Sequence, residues 1–282
     1  MTDPLDMEAF AAHLRLSDPD RYLAARLAPK PARPALTTLY AFNAELARIC
    51  DAVSEPVLGE IRLQWWRDAL DGADERARTG APLADALTQT VQVHELPKPL
   101  LLGMIDARSA DLDGGGFADT QALKAYLYKV DGALFALSVH ILAGAGAGAA
   151  KAANAAGVAY GMARLLRTLP HDAAAGRVML PLATLGEHGV LPEQILAGED
   201  SDGVGSLIAE MAQTARDSLD EARQHMPEVP SAGRRAFAPL VLVEPYLRAV
   251  TRSERRHLHE IADINPMTRF LRLWRAARTG RI

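Results

Sequence analysis

Cysteine is almost absent. Cys50 stands alone in 282 residues, which excludes an intrachain disulfide and suits a reducing compartment. In its apolar surroundings a small thiol reads as core filling. An excess of basic charge is also lacking, with 31 Lys and Arg against 35 Asp and Glu and a formal net charge of −4. A dedicated nucleic-acid partner is therefore not expected. No uninterrupted apolar run reaches the ~18 residues of a transmembrane helix, so no spanning segment is expected, while peripheral contact stays open. The stretch Met1–Glu8 is acidic and has neither the basic-then-apolar layout of a signal peptide nor the Arg/Ser-rich character of a transit peptide. The expected location is cytoplasmic, with peripheral attachment at the inner face of a membrane. Metal-type clustering is lacking too: the histidines are scattered, and His257 and His259, two apart, point to different sides of a helix. No Ser–His–Asp arrangement, zinc spacing or dinucleotide-binding glycine motif stands above chance.

What remains is helix. Hydrophobic residues make up 49% and charged residues 23%, an ordinary globular balance. Leu36, Leu39, Phe42, Leu46, Ile49 and Val53 recur at three- and four-residue steps, on one helical face. Pro34 suits the start of that helix, and Pro56 ends it at Glu55. Further helices are predicted over Ile61–Leu70, Leu83–Val93, Lys98–Asp111 and Thr120–Leu142, with a break at Asp113–Gly116. The Ala/Gly stretch Ala143–Gly157 predicts a loop, then a helix from about Ala149 to Leu169, stopped by Pro170. Later helices are predicted at Gly205–His225, Arg234–Thr251 and from Asn265 or Pro266 to Ala277. Strand patterning is scarce, and no linker or repeat is evident. The expectation is one all-α domain over residues 1–282, with a core of about 20–277.

Two constellations carry chemistry. On the first helix Ala44, Arg48, Asp51 and Glu55 lie opposite the apolar stripe. Asp51 and Glu55, four apart, place two carboxylates one turn from each other, a pair able to share Mg²⁺. The alternative is a solvated face on which Arg48 pairs Asp51. In the second, Gly157, Gly161, Arg164 and Thr168 share a face on which small residues allow close approach. Arg164 and Arg167, with Arg177 on the following loop, suit the forked recognition of phosphate; the alternative is surface ion pairing. Trp65 and Trp66 read as core residues, one of them able to line a cavity.

The order Leu39-Tyr40-Ala41-Phe42, Arg48-Ile49-Cys50-Asp51-Ala52-Val53-Ser54-Glu55, Leu165-Leu166-Arg167 and Asp172, then Gly176-Arg177-Val178-Met179-Leu180-Pro181, resembles the squalene and phytoene synthases. Trp65-Trp66-Arg67 and Tyr126–Gly132 add to it. The resemblance implies an isoprenoid-synthase-like helical bundle around a central cavity. In active members two acid-rich motifs on facing helices hold Mg²⁺ against prenyl diphosphates. Carried over, Asp51, Glu55 and Asp172 would be the metal-binding and catalytic acids, and Tyr40, Arg48, Arg164, Arg167 and Arg177 would bind substrate.

The match is incomplete. The companion acid of the first motif is Ala52. The second motif shows Gly161, Arg164 and Thr168 where the enzymes carry Gln, Asn and Asp, and Pro170 is expected to displace Asp172 from the helix face. A cation at Arg164 would repel Mg²⁺. Ala41–Ala47, Arg62–Trp66 and the ending Leu271, Leu273, Trp274-Arg275 are similar to one divergent branch, the mitochondrial respiratory complex I assembly factors with a squalene/phytoene-synthase-like domain. The resemblance thus implies a non-catalytic assembly or maturation factor whose partners are respiratory-complex subunits or assembly proteins. An active Mg²⁺-dependent prenyltransferase joining two prenyl diphosphates head to head is the second reading. A prenyl-diphosphate or anionic-lipid binder without turnover is the third.

Overall fold

The structure is a computed structural model that describes residues 4–53, 55–72, 79–146, 148–252 and 256–282. Met1–Asp3, Ser54 and Ala147, which entered the readings of the N-terminus, the first acidic motif and the Ala/Gly stretch, lie outside the described residues. The chain is all-α, with no β-strand among the described residues. In order it forms α1 (Pro4–Ser17), α2 (Pro19–Leu27), α3 (Arg33–Ala52), α4 (Pro56–Asp71), α5 (Pro82–His94), α6 (Lys98–Ala107), α7 (Ser109–Asp113) and α8 (Thr120–Leu127). There follow α9 (Ala133–Ala143), α10 (Ala150–Ala174), α11 (Leu182–Glu187), α12 (Pro192–Leu196), α13 (Asp202–His225), α14 (Val243–Val250) and α15 (Pro266–Thr279).

Proline sets much of this punctuation. It occupies the first or second position of α2, α3, α4, α5, α6, α12 and α15, where its missing N–H costs nothing and its fixed φ already suits the helix. The apolar stripe of α3 is buried as its spacing predicts, with Leu36, Leu39, Phe42, Leu46 and Ile49 all shielded from solvent. This helix ends at Ala52, Val53 is extended, and Glu55 is the residue before α4.

Pro170 does not stop its helix: α10 runs through it to Ala174. A mid-helix proline loses one backbone bond, but Leu169, Pro170 and Ala173 are all buried. The hydroxyl of Thr168 also donates to Asp172 Oδ2 one turn on, at 2.8 Å. Packing outweighs the local penalty, and Asp172 stays on the face its i,i+4 spacing from Thr168 implies. The segment predicted as one helix from Arg234 is instead 3₁₀ over Gly233–Leu242, with Pro239 inside it, before α14 begins.

The stretch Thr120–Ala143 is continuous but not uniform. Tyr128–Gly132 forms a π-helical turn between α8 and α9, a local widening that concentrates at functional sites. This 24-residue stretch, whose most apolar 18-residue window has a mean hydropathy of 1.2, is long and apolar enough to cross a membrane by length and composition alone. Lys124, Lys129 and Asp131 interrupt it, and 67% of its apolar window is buried within the fold. It behaves as a core element.

Small residues let α10 cross that π turn backbone to backbone. A Cβ on Gly157 would collide with the amide nitrogen of Gly132, and one on Gly161 would lie 2.6 Å from Asp131 Oδ2. Gly157→Ala therefore forces the two helices apart and is expected to cost about 1–3 kcal/mol, read as a lower urea midpoint.

Candidate functional site

The π turn delivers Asp131 into a buried charge network. Arg21 of α2 donates to Asp131 Oδ1 at 2.6 Å and to Asp18 Oδ2 at 3.1 Å. Arg164 of α10 reaches Asp131 Oδ2 at 3.4 Å. Burial alone would raise the Asp131 pKa, but the Arg164 and Arg21 guanidiniums override it and hold the carboxyl below its usual range. Beside this pair Arg108 donates to Asp111 at 2.7 Å, to the Tyr126 hydroxyl at 3.1 Å and to Asn43 at 3.1 Å. The Tyr126 hydroxyl in turn donates to Asp111 at 2.6 Å.

A second cluster centres on Asp20. It accepts from the hydroxyls of Tyr160 at 3.0 Å and Tyr246 at 2.8 Å, and pairs with Arg269 of α15 at 2.8 Å. Arg167 lies 3.7 Å above the Tyr246 ring and donates to the Ala262 carbonyl at 3.1 Å. Asp18, Asp20, Arg21, Arg108 and Tyr160 line a cavity of about 570 Å³ between α1, α2, α3, α8 and α10.

At the mouth the two acid motifs meet. Arg177 Nη2 lies 2.9 Å from Asp51 Oδ1 on α3 and 2.9 Å from Asp172 Oδ1 on α10. One guanidinium thus bridges carboxylates from facing helices. Arg48 pairs with Glu45, at 2.7 and 2.8 Å, rather than with Asp51. Cys50 is partly buried, and burial pushes its thiol up to about 12, which disfavours the nucleophilic thiolate at neutral pH.

Several positions differ from the sequence reading. Glu55 lies beyond the end of α3, exposed, and lines neither this cavity nor the cleft beside Trp65; the turn at Val53 breaks the i,i+4 relation with Asp51 that a continuous helix would have kept. Tyr40 is buried, its hydroxyl 3.1 Å from Ser138, and does not line the cavity. Asp51, Asp172, Arg48, Arg164, Arg167 and Arg177 do come together around the cavity. Trp66 packs edge-on against Phe42, and Trp65 and Trp66 both line a separate cleft near α1 and α5.

The sequence reading missed Asp18, Asp20, Arg21, Arg108, Asp111, Asp131, Tyr160 and Tyr246. The signal for the first three was present: Asp18-Pro19 is a helix start, and the Asp18 side chain accepts from the Arg21 amide. The signal for Asp131 was a lone acid in an otherwise apolar helical stretch.

The Mg²⁺ implied by the resemblance does not fit these donors. Glu55 is turned away, and Asp51 and Asp172 already share a cation. No group of three or more His, Cys, Asp or Glu that could hold a metal exists among the described residues. A hard divalent ion wants oxygen ligands without a competing positive charge among them.

A bundle of helices around a polar-mouthed cavity, with facing acid motifs on α3 and α10, defines the class. The squalene/phytoene synthase family model matches residues 14–272, and the chain belongs to that family. Among curated proteins it is 30% identical, over 93% of this chain and 80% of the other, to NADH dehydrogenase (ubiquinone) complex I, assembly factor 6, from Mus musculus. Among solved structures, squalene synthase HpnC from Alicyclobacillus acidocaldarius superposes with a TM-score of 0.76 at 23% identity, covering 90% of this chain and 95% of that one. A dehydrosqualene synthase crystallised with a ligand gives 0.77 at 18% identity, covering 97% and 95%. At those identities the two structures establish the isoprenoid-synthase fold alone.

Proposed function

We propose that this chain is a non-catalytic assembly or maturation factor for a respiratory membrane complex of the complex I type, acting peripherally at the inner face of the membrane. The observation that carries the reading is the Arg177 bridge, at 2.9 Å to both Asp51 and Asp172. The guanidinium holds together the two acids that a prenyltransferase would need free for metal. Arg164 is committed to Asp131 in the same way. The similarity to complex I assembly factor 6, along 93% of the chain, agrees with a role in which the bundle binds partners rather than turning over substrate.

One observation favours a related reading, in which the cavity binds an anionic isoprenoid or lipid without reaction. The space is about 570 Å³, within the usual range for small-molecule sites, and Arg48, Arg167 and Arg177 stand at its polar end. Each already has an acidic partner in the fold, so a phosphate would have to displace a carboxylate.

Complementation tests the main reading. Deleting the gene should lower NADH:quinone oxidoreductase activity in isolated membranes. Wild type and the Asp51→Ala, Glu55→Ala double variant should restore it equally. Unchanged membrane activity after deletion would refute the assembly role, and failure of the double variant alone would return metal chemistry to the site.

A further inference from the structure

The C-terminal helix carries an apolar stripe that faces away from the fold. Leu273, Ala276 and Ala277 of α15 are buried, and Arg269 is tied inward to Asp20 and Asp263. On the adjoining face Met267, Phe270, Leu271 and Trp274 remain 62%, 40%, 52% and 40% exposed. Their i, i+3, i+4, i+7 spacing is a continuous helical stripe, so α15 is apolar on two faces and only one is covered. Scattered exposed apolar residues are ordinary; four on one helix stripe are not.

The charge beside that stripe identifies what it fits. Residues 265–282 hold five of the 31 basic residues and none of the 35 acids, so the rest of the chain has 26 bases against 35 acids. Arg272, Arg275 and Arg278 are exposed on α15, and Arg281 is exposed just beyond it. Arg278 lies 4.6 Å above the Trp274 ring. An apolar stripe with an indole, rimmed by arginines, on a protein acidic elsewhere, complements a surface that is apolar below and anionic above. That is the headgroup region of a bilayer containing acidic phospholipid.

We infer that α15 is the membrane-docking element of this protein, lying in the plane of an anionic bilayer with Phe270, Leu271 and Trp274 inserted and Arg272, Arg275 and Arg278 among the phosphates. This rests on the peripheral location proposed above and names its surface; it does not depend on what the cavity holds. Docking also orients the molecule. Ile261 lines the cavity and is 58% exposed, and Asp263 links Arg167 of the cavity wall to Arg269 of α15. The N-terminal end of α15 therefore lies beside the cavity mouth, and docking brings that mouth to the lipid.

The test is flotation of the full-length protein with vesicles of phosphatidylglycerol and phosphatidylcholine in about equal amounts, against phosphatidylcholine alone, at low and high salt. Wild type should bind the anionic vesicles at low salt. At about tenfold affinity loss for each 1.4 kcal/mol and ~1 kcal/mol for each arginine near an anionic surface, Arg272→Gln, Arg275→Gln, Arg278→Gln should weaken binding about a hundredfold. Phe270→Ser with Leu271→Ser should weaken it at least about tenfold, with far-UV circular dichroism unchanged in both variants. Wild-type binding that neither variant lowers would overturn the assignment to α15 and leave the peripheral location standing. No wild-type binding to anionic vesicles would overturn both. Self-association in solution that the same substitutions abolish would give the stripe to a second copy of the chain and overturn the lipid proposal.

Discussion

Replacing Asp131 by alanine should cost about 3–5 kcal/mol of folding stability, the usual consequence of stranding a buried charge by removing its partner. The residue is 1% exposed, and two guanidiniums close on it, Arg21 at 2.6 Å and Arg164 at 3.4 Å. The two arginines should not be equivalent. Without Asp131 the Arg21 side chain, 3% exposed, keeps Asp18 at 3.1 Å, whereas Arg164 keeps no ion-pair partner among the described residues. Arg164→Met added to Asp131→Ala should therefore recover more than Arg21→Met added to it, which would also take the cation from Asp18, measured by urea denaturation as a double-mutant comparison. The effect has a sign in pH. Because the folded pKa of Asp131 is depressed, its contribution is complete above the ordinary carboxylate value near ~4 and disappears as pH falls through the lower folded value. The gap between wild type and Asp131→Asn should narrow below about pH 4.

Removing the guanidinium at the mouth should change what the cavity binds. A divalent ion ~4 Å from Arg177 would meet a repulsion of about 8 kcal/mol at an effective dielectric of about 20, which opposes the pull of Asp51 and Asp172 on Mg²⁺. In Arg177→Met the two carboxylates face each other without a cation. Mg²⁺ should then raise the unfolding temperature of the variant, by an amount equivalent to ~2.7 kcal/mol once the ion reaches about a hundred times its Kd. Wild type should show no shift. The substitution itself should lower stability, because Asp172, whose side chain is 13% exposed, loses its cation and keeps only the Thr168 hydroxyl bond, whereas Asp51 is about half exposed. A Mg²⁺-dependent shift in wild type would mean that the bridge opens readily, and that the acids remain a metal site.

The sequence was informative where local physical chemistry decides and silent where contacts are made at a distance. Helix type and many boundaries followed from apolar spacing and proline, as α5 and α15 illustrate. The error at Pro170 came from treating a local penalty as decisive when Leu169 and Ala173 on either side bury the turn. The acid motif was misplaced for a similar reason. Asp51 and Glu55 are one turn apart only if the helix continues, and it ends at Ala52. The site residues with clear chemistry, Asp51, Asp172, Arg164 and Arg177, were legible from the family resemblance. Their pairing was not, because Arg177 meets Asp51 from a distant part of the chain and Asp131 meets Arg21 across 110 positions. The two N-terminal helices were overlooked although Asp18-Pro19 announces one of them. They and the turn between them supply Asp18, Asp20 and Arg21, without which neither buried cluster closes.

One assay tests most directly the proposal that this chain lacks prenyltransferase activity. Purified protein is incubated with farnesyl or geranylgeranyl diphosphate, with and without Mg²⁺, and both ligand binding and diphosphate release are followed. No Mg²⁺-dependent release is expected with either substrate, because the guanidinium of Arg177 occupies the place between Asp51 and Asp172. Release that requires Mg²⁺ and is lost in Asp51→Ala would contradict the account and restore the chain to the working prenyltransferases.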